Sequence, residues 1–351
     1  MHVANSRVPR IIDPFINRTA QFMSNKLSEE IRSNKSVNRF HSFLLILAMV
    51  AILALVGLML FGFWGFVFAV GIACASMIFG RRVSIGWVMR MYKAKPLQKH
   101  QAPELFEIFG ELVAAAKLDH VPRLYYVPSR LPNAFATGFN KETAVAVTDG
   151  ILRMMNRREI RGILAHEVAH LMHGDTSVMA LADTMARLVA TVCRLGVFML
   201  LFSGLATLLT TGITPGMILA GLLMFFAPSI MILLQLALSR TREFNADLGA
   251  VQLSGDALAL ASALTKLERM VNPKAGIWGK IVRPGQKRAQ PAFLRTHPPT
   301  DERVERLLEH APESAIEPVR APVATSPRKL TFKPRRIRER PRYRLGSGSW
   351  R

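Results

Sequence analysis

Residues 159–175 have the sequence EIRGILAHEVAHLMHGD, and the rest of the chain is best understood from this stretch. It contains His166, Glu167 and His170 in the spacing H-E-x-x-H. On a helix, residues four apart lie on the same face, so the two imidazoles can bind one tetrahedral metal ion, for which zinc is the favoured choice. Glu167 follows the first histidine and is suited to act as general base on a water molecule. Because so short a motif also occurs by chance, it needs support from the rest of the chain.

Composition favours a membrane protein. The chain has 351 residues, 50% of them hydrophobic, and a formal net charge of +22. A basic balance is typical of proteins that bind nucleic acid or an anionic membrane surface, and long apolar runs in the same chain favour the membrane. Cys74 and Cys193 both lie in apolar runs, which argues against a disulfide framework and against a cysteine-based zinc site.

The first apolar run, 43–79, contains no charged residue and is too long for one membrane span of about 20 residues. Gly62, Trp64 and Gly65 lie near its middle, so the pattern predicts a hairpin of two helices over 43–80. Basic residues flank both ends, and the positive-inside rule then places both ends in the cytoplasm and predicts an even number of spans. A secretory signal peptide is the alternative, but the run extends well past an h-region.

A second pair of uncharged runs covers 195–210 and 217–238 and is joined by turn residues. Arginines flank both outer ends, which predicts a second transmembrane hairpin, 195–238, with cytosolic ends. A buried hairpin in a soluble domain is the alternative, because the first of the two runs is short for a membrane span.

The segments between the apolar runs predict a mainly helical domain with a small sheet. The H-E-x-x-H helix is expected from about 157 to 172 or further, and helical spacing also covers 103–118, 240–272 and 300–310. Short strands separated by Pro, Asn and Gly are predicted at 123–128, 134–139 and 143–148. A small antiparallel sheet fits these three strands.

A catalytic zinc site needs a third protein ligand besides the two histidines, and an open position. His173 lies roughly 10 Å along the helix from His166, too far for one ion to bind both. Glu243 and Asp247 are four apart at the cytosolic end of the second hairpin. Glu243 would complete a His₂Glu site, and Asp247 would accept a hydrogen bond from a ligand histidine. The alternative is a solvated, salt-bridged face, which is the commoner meaning of such a pair beside arginines.

Four motifs together resemble, in order, those of the HtpX family of membrane-embedded zinc metalloproteases, relatives of the CAAX prenyl protease. They are PNAFATG at 132–138, HEVAHLMHGD at 166–175, SRTREFNAD at 239–247 and THPPTDERVERL at 296–307. The resemblance covers about residues 43–310 and also implies four membrane spans. It further implies that Glu243 is the third ligand of one zinc ion per chain.

The same resemblance implies roles for five more residues. Asn133, Ala134 and Phe135 are expected to hold the substrate backbone extended by strand addition; the alternative is an ordinary turn before a buried strand. His297 and Arg303 are expected to stabilise the oxyanion of the transition state. Arg303 suits that role better, since its charge is permanent, whereas His297 has the alternative of a surface position before a helix.

The predicted fold is an α-helical membrane protein with a mainly α, zincin-like cytosolic catalytic domain of the α+β class. Its small sheet is expected to be antiparallel, and about four transmembrane helices are expected in two hairpins. The predicted parts are a basic N-terminal arm (1–42), a transmembrane hairpin (43–80), a metallopeptidase domain (81–310) interrupted by the hairpin 195–238, and a basic disordered tail (311–351).

The expected function is zinc-dependent hydrolysis of peptide bonds in misfolded or membrane proteins, in protein quality control or the stress response. The expected location is a bacterial inner membrane, with the catalytic domain and both termini in the cytoplasm. Polypeptides and the lipid bilayer are the expected partners, with anionic lipid contact through the basic termini and no specific nucleic acid. A peptidase that processes a few particular substrates and a non-catalytic membrane scaffold are the alternatives.

Overall fold

The structure is a computed structural model that describes residues 14–79, 85–139, 142–210, 212, 214–271 and 300–311, with the backbone alone at 14–37, 203–210 and 271. Some of the predictions lie outside these residues. They concern His297, the start of the basic arm (1–13) and the basic tail from residue 312 onwards.

Helices dominate the described part of the chain. They are α1 (Pro14–Phe79), α2 (Ile85–Met91), α3 (Pro103–Ala115), α4 (Asp149–Met154), α5 (Arg157–His173), α6 (Asp175–Thr210), α7 (Pro215–Ser254), α8 (Ala257–Val271) and α9 (Thr300–Glu309). The strands are β1 (Lys95–Pro96), β2 (Arg123–Val127), β3 (Ala134–Phe139) and β4 (Glu142–Thr148). The mainly helical fold with one small sheet agrees with the prediction.

Helix α1 consists of two helical arms joined by a tight turn, so it forms a hairpin. Its backbone leaves the helical conformation at Phe61 and Gly62, where Gly62 has φ 62° and ψ −150°. A Cβ atom built on Gly57 would lie 3.0 Å from the Cβ of Ala69, whereas a straight helix would separate residues twelve apart by about 18 Å. The chain therefore reverses at Phe61–Gly62, close to the predicted turn, and the second arm returns along the first.

Three described helical segments are long and apolar enough to cross a membrane: Asn38–Ile78, Asp175–Phe202 and Pro215–Ser254. Since the first is folded into two arms, these segments supply four apolar arms. Phe202 is 70% exposed and Phe225 is 73% exposed. Large exposed aromatic side chains at these positions suit lipid and not the interior of a soluble domain, so the alternative of a buried soluble hairpin is wrong.

The first hairpin is an integral part of the fold, which argues against a signal peptide. Met49 on its first arm belongs to the same buried cluster as Met185 of α6 and Met231 of α7. Asn38, at the start of the apolar segment, donates a hydrogen bond of 2.7 Å to Asn245 of α7. Ile78, at the other end, lines a cavity together with the end of α5. Both ends of the hairpin thus lie beside the same soluble domain.

The sheet is mixed, so the prediction of an antiparallel sheet is wrong. The strand order is β1-β2-β4-β3, with β2 and β4 parallel and with β3 and β4 antiparallel. The prediction assumed a meander in which each strand pairs with the next. Residues 143–148 of β4 are buried along their whole length, so β4 fits the centre of the sheet, and β3 is left at an edge.

Helix α5 is stabilised at both ends by its own sequence. Asn156 and Glu159 form a reciprocal capping box at its start, and Gly174 ends it in the left-handed conformation with φ 71°. Inside the fold, α5 crosses α7 at very short range, because a Cβ atom on Gly249 of α7 would lie 2.9 Å from the Cβ of Ala169. The missing side chain at Gly249 lets the two helices approach closely enough to share a site.

Candidate metal centre

Helix α5 supplies three of the residues at the centre of the site. His166 and Glu167 are buried, and His170 is partly buried. The Nε2 atoms of the two histidines point at the same space and lie 3.1 Å apart. This arrangement follows from the spacing of four residues on one helical face. The nitrogen that each ring offers to a metal is therefore Nε2.

Helix α7 brings Glu243 to the same space. One carboxylate oxygen of Glu243 lies 3.3 Å from Nε2 of His166, and the other lies 3.6 Å from Nε2 of His170. Two ligand atoms held at about 2.1 Å by a tetrahedral ion are separated by about 3.4 Å. The nitrogen–nitrogen separation and the separation of each nitrogen from an oxygen of Glu243 are close to this value. One ligand atom from each of the three residues lies within 4.8 Å of the other two, so His166, His170 and Glu243 fit a metal ion. They form the group that could hold one in the described part of the chain.

His166 is backed by a carboxylate that is itself held by an arginine. Oδ1 of Asp247 lies 3.0 Å from Nδ1 of His166. Arg303 of α9 donates two hydrogen bonds to Asp247, from Nε at 2.7 Å and from Nη2 at 2.6 Å. All three side chains are buried. Asp247 therefore lies behind His166, on the side away from the metal-binding space.

His170 is backed in the same way by Asp175, a residue that was not among those predicted from the sequence. Oδ2 of Asp175 lies 2.9 Å from Nδ1 of His170, and Oδ1 accepts a hydrogen bond of 2.6 Å from Arg242. Asp175 directly follows Gly174, whose left-handed conformation turns the chain back towards α5. The Gly-Asp pair at the end of the H-E-x-x-H helix is the sequence signal that could have identified it.

The carboxylates around the two histidines favour positive charge at the site. Burial lowers the pKa of His170, but Asp175 and Glu243 outweigh this effect and hold the pKa well above its ordinary value. Burial also lowers the pKa of His166, and there Asp247 and Glu243 raise it above the ordinary value. The same field that attracts a proton to an imidazole attracts a divalent cation, so the electrostatics also fit a metal.

Arg303 of α9 lies at the site and contacts two of its carboxylates. Beside its bonds to Asp247, its Nη1 lies 3.0 Å from an oxygen of Glu243. Burial lowers the pKa of Arg303, but Asp247 and Glu243 outweigh it and raise that pKa, with Glu167 adding to the same effect. The guanidinium is thus at the site and charged, and its contacts are to the carboxylates around the histidines. His297, its expected companion, lies outside the described residues.

The edge of the sheet runs alongside α5. The carbonyl of Asn133 accepts a hydrogen bond of 2.9 Å from the backbone of Thr148, so its peptide faces β4. The backbone N–H and C=O groups of successive strand residues point in alternate directions. Those of Phe135 therefore also point towards β4, whereas those of Ala134 and Ala136 point towards the open edge of the sheet. Thr176 donates a hydrogen bond to the carbonyl of Gly138, which closes the edge at that end. Of the three predicted substrate-binding residues, Ala134 is the one with outward backbone groups.

Comparisons with known proteins bear on the same part of the chain. Residues 99–311 match the family model described as Peptidase family M48. A Burkholderia thailandensis protein named "Protease HtpX homolog" is 36% identical over 279 residues, which are 76% of this chain and 95% of that protein. A Methylibium petroleiphilum protein of the same name is 34% identical over 287 residues, which are 79% of this chain and 99% of that protein.

A solved structure is also similar, at a lower level. The crystal structure of S. mikatae Ste24p has a TM-score of 0.40 and 17% sequence identity to this chain. The match covers 79% of this chain and 66% of that one.

Proposed function

This chain belongs to peptidase family M48 and is a membrane metalloprotease, and from that premise we propose that it is a zinc-dependent endopeptidase. Its substrates are misfolded or membrane proteins, cleaved at the cytosolic face of a bacterial inner membrane in protein quality control. The observation that carries the proposal is the cluster of His166, His170 and Glu243, in which one ligand atom from each residue lies within 4.8 Å of the other two, close enough for one ion to bind all three.

The donor chemistry supports zinc in particular. Two imidazole nitrogens and one carboxylate are the ligand set of many catalytic zinc sites, and a fourth position stays open for water or substrate. Zinc bound at His166, His170 and Glu243 would act as a Lewis acid that lowers the pKa of water to near 7 and polarises the substrate carbonyl. Magnesium and calcium prefer oxygen ligands, so a histidine-rich set disfavours them.

Glu167 moves the proton in the proposed reaction. Its carboxylate accepts a proton from the attacking water as the water oxygen forms a bond to the peptide carbon. When the carbon–nitrogen bond breaks, Glu167 returns that proton to the leaving nitrogen. The burial of Glu167, directly beside His166, supports this role, because the side chain is held at the site and shielded from bulk water.

Positive charge near the carbonyl oxygen would stabilise the transition state. Arg303 keeps its charge at any working pH and has Nη2 3.5 Å from Nε2 of His166. Its hydrogen bonds to Asp247 also order the site, so we propose that it both orders the ligands and supplies this charge. His297 remains a second proposed donor to the oxyanion.

The open edge of β3 supports an extended polypeptide as substrate. The outward backbone groups of Ala134 and Ala136 can pair with a substrate strand, while Asn133 and Phe135 on either side hold β3 to β4. Strand addition forms hydrogen bonds to the backbone of the substrate and requires an unfolded segment. This favours damaged or misassembled chains over folded ones. Substrates trapped on the Glu167→Gln protein in cells would test this class, and a single processed protein would favour the specific-processing alternative.

The cytosolic orientation is supported by the basic flanks of both hairpins and by the position of the soluble domain at their shared end. A thiol reagent that cannot cross the membrane should label a cysteine at Gly212, between α6 and α7, when applied outside the inner membrane. It should not label a cysteine at Glu302. The reverse pattern would place the site on the other face. The division into basic arm, hairpins, peptidase domain and tail is proposed on the same grounds.

The central test uses purified full-length protein in detergent. We expect about one zinc per chain and cleavage of casein. Glu167→Gln should keep the zinc but lose roughly 10²–10⁴-fold or more in rate, because the proton acceptor is gone. Glu111→Gln is the matched control, since the side chain of Glu111 is 51% exposed on α3. Full peptidase activity in Glu167→Gln would contradict the proposed base, and an active protein without zinc would contradict the metal.

A further inference from the structure

Asp175 and Arg242 lie outside the reaction as proposed above, yet both are in the buried part of the site. The side chain of Asp175 is 2% exposed and that of Arg242 is 12% exposed. Each oxygen of Asp175 has one partner, His170 on one side and Arg242 on the other. A carboxylate held at both oxygens cannot rotate freely, and it therefore fixes the plane of the imidazole that it contacts.

The partners come from three different elements. His170 is on α5, Asp175 is the first residue of α6, and Arg242 is on α7 directly before Glu243. Helices α6 and α7 are the two arms of the second hairpin, so the Asp175–Arg242 pair closes the base of that hairpin. Asp175 and Arg242 are 67 positions apart in sequence, and only the hairpin brings them together.

We propose that Arg242 is a positioning residue that holds Asp175 against His170 and thereby couples the geometry of the metal ligands to the base of the α6–α7 hairpin. The proposal rests on the proposed zinc site. Two adjacent residues of α7 then have different roles: Glu243 completes the ligand set, and Arg242 orients His170, a ligand on α5.

The burial of the pair makes the contact strong enough to matter. An exposed ion pair contributes little, as for Arg187 and Asp183, whose side chains are 71% and 43% exposed. Removal of one partner from a buried pair leaves an uncompensated charge, which the structure relieves by moving it towards water. Without Arg242, the carboxylate of Asp175 would therefore leave the position in which it orients His170.

The proposal is tested by measuring the zinc affinity of the full-length protein in detergent. Stripped protein is titrated with zinc against a chromophoric chelator for the wild type, Arg242→Ala, Arg242→Lys, Asp175→Asn and the double variant Asp175→Asn with Arg242→Ala. Loss of an outer partner of a metal ligand typically costs about 10–100-fold in affinity. We expect that loss in Arg242→Ala and in Asp175→Asn, a smaller loss in Arg242→Lys, and no further loss in the double variant. Arg187→Ala is the matched control and should bind as the wild type does.

Cobalt substitution provides a second readout that a purely structural role would not change. The visible absorption of Co²⁺ at the site should differ between the wild type and Arg242→Ala, because the ligand geometry differs, and should be restored in part by Arg242→Lys. If Arg242→Ala does not fold, the comparison of Asp175→Asn with Arg242→Lys decides in its place.

The outcomes separate this proposal from the proposed function. Wild-type protein that binds no zinc would contradict the metal site itself. Wild-type protein that binds zinc, with unchanged affinity and cobalt spectrum in Arg242→Ala or in Asp175→Asn, would overturn the role of Arg242 alone. Additive losses in the double variant would also overturn it, since they would show that Arg242 and Asp175 act separately.

Discussion

Helices α5 and α7 each present a pair of site residues four positions apart, but the sequence pattern around the pair on α5 is the more specific of the two. His166 and His170 stand in the H-E-x-x-H motif, whose spacing on a helix suits a metal site. Glu243 and Asp247 are an acidic pair among arginines, a pattern that is usually a solvated surface. In the structure both carboxylates are buried, at 5% and 4% exposure. The pair on α7 thus acquires its meaning from the helix that it faces.

The two pairs also divide their work differently. Both histidines direct Nε2 to the same space, whereas only Glu243 of the acidic pair reaches it. Asp247 lies one helical turn further along α7, about 6 Å away, and meets the opposite nitrogen of His166. The comparison teaches that spacing on a helix decides which residues share a face, while the crossing of the two helices decides what each residue does there.

Replacement of Glu243 should have the largest effect on this comparison. If α7 is an equal partner of α5, Glu243→Ala should lose zinc and activity as completely as His166→Ala does. We expect at least about 10²-fold weaker zinc binding in both variants. Loss of a metal ligand should lower zinc affinity more than loss of a residue that only contacts a ligand. Metal analysis and casein cleavage measure this. Stoichiometric zinc in an inactive Glu243→Ala protein would show that Glu243 acts on the substrate and not on the metal.

Replacement of Asp247 should have an intermediate effect. Asp247→Asn keeps the shape but weakens the contacts to His166 and Arg303, so we expect about 10–100-fold lower zinc affinity with the ligand set intact. Chelator competition measures this affinity. Asp183→Asn, a change of the same kind at an exposed position on α6, should have no effect. Equal zinc binding in the two variants would remove Asp247 from the site.

The smallest effect should come from a substitution at Gly249, where α7 crosses α5. In Gly249→Ala the new Cβ would lie 2.9 Å from the Cβ of Ala169 and 3.1 Å from Cε1 of His173. Such overpacking should lower the unfolding free energy by about 1–3 kcal/mol and separate α7 from α5, with weaker zinc binding as a result.

Gly221→Ala is the matched control for Gly249→Ala, because Gly221 is on the same helix and a Cβ there would meet nothing within 4 Å. It should be neutral or slightly stabilising, since alanine is the better helix former. Thermal unfolding and zinc titration measure both variants. Equal behaviour of the two would mean that α5 and α7 can adjust their crossing without cost.

Local patterns in the sequence were sufficient for several elements. The turn of the first hairpin was expected near Gly62 because glycine readily adopts a positive φ, and the helix breaks there. The H-E-x-x-H helix was expected over 157–172 and spans Arg157–His173, since its capping residues lie in the same short segment. Each of these features depends on residues close together in the chain.

Several features that depend on distant residues were not predicted. The parallel pairing of β2 with β4 needs β3 to lie at the outer edge, and no residue of β2 carries that information. Asp175 and Arg242 were missed as partners because each alone is an ordinary charged residue near a membrane span. The long helix α7 was expected as two segments, 217–238 and 240–272, because its composition changes from apolar to polar, although the backbone continues through that change.

The sequence by itself determined the chemistry of this protein: an H-E-x-x-H helix, two apolar hairpins with basic flanks, and an acidic pair at the end of the second hairpin. Only the tertiary structure decided how these parts meet. The three donor atoms converge because α7 crosses α5 at Gly249, and each histidine is backed by its own Asp–Arg pair drawn from other helices. The physical reason is range: helix caps, turns and hydropathy act over a few residues, whereas a metal site requires atoms from distant segments to be positioned within a few ångströms.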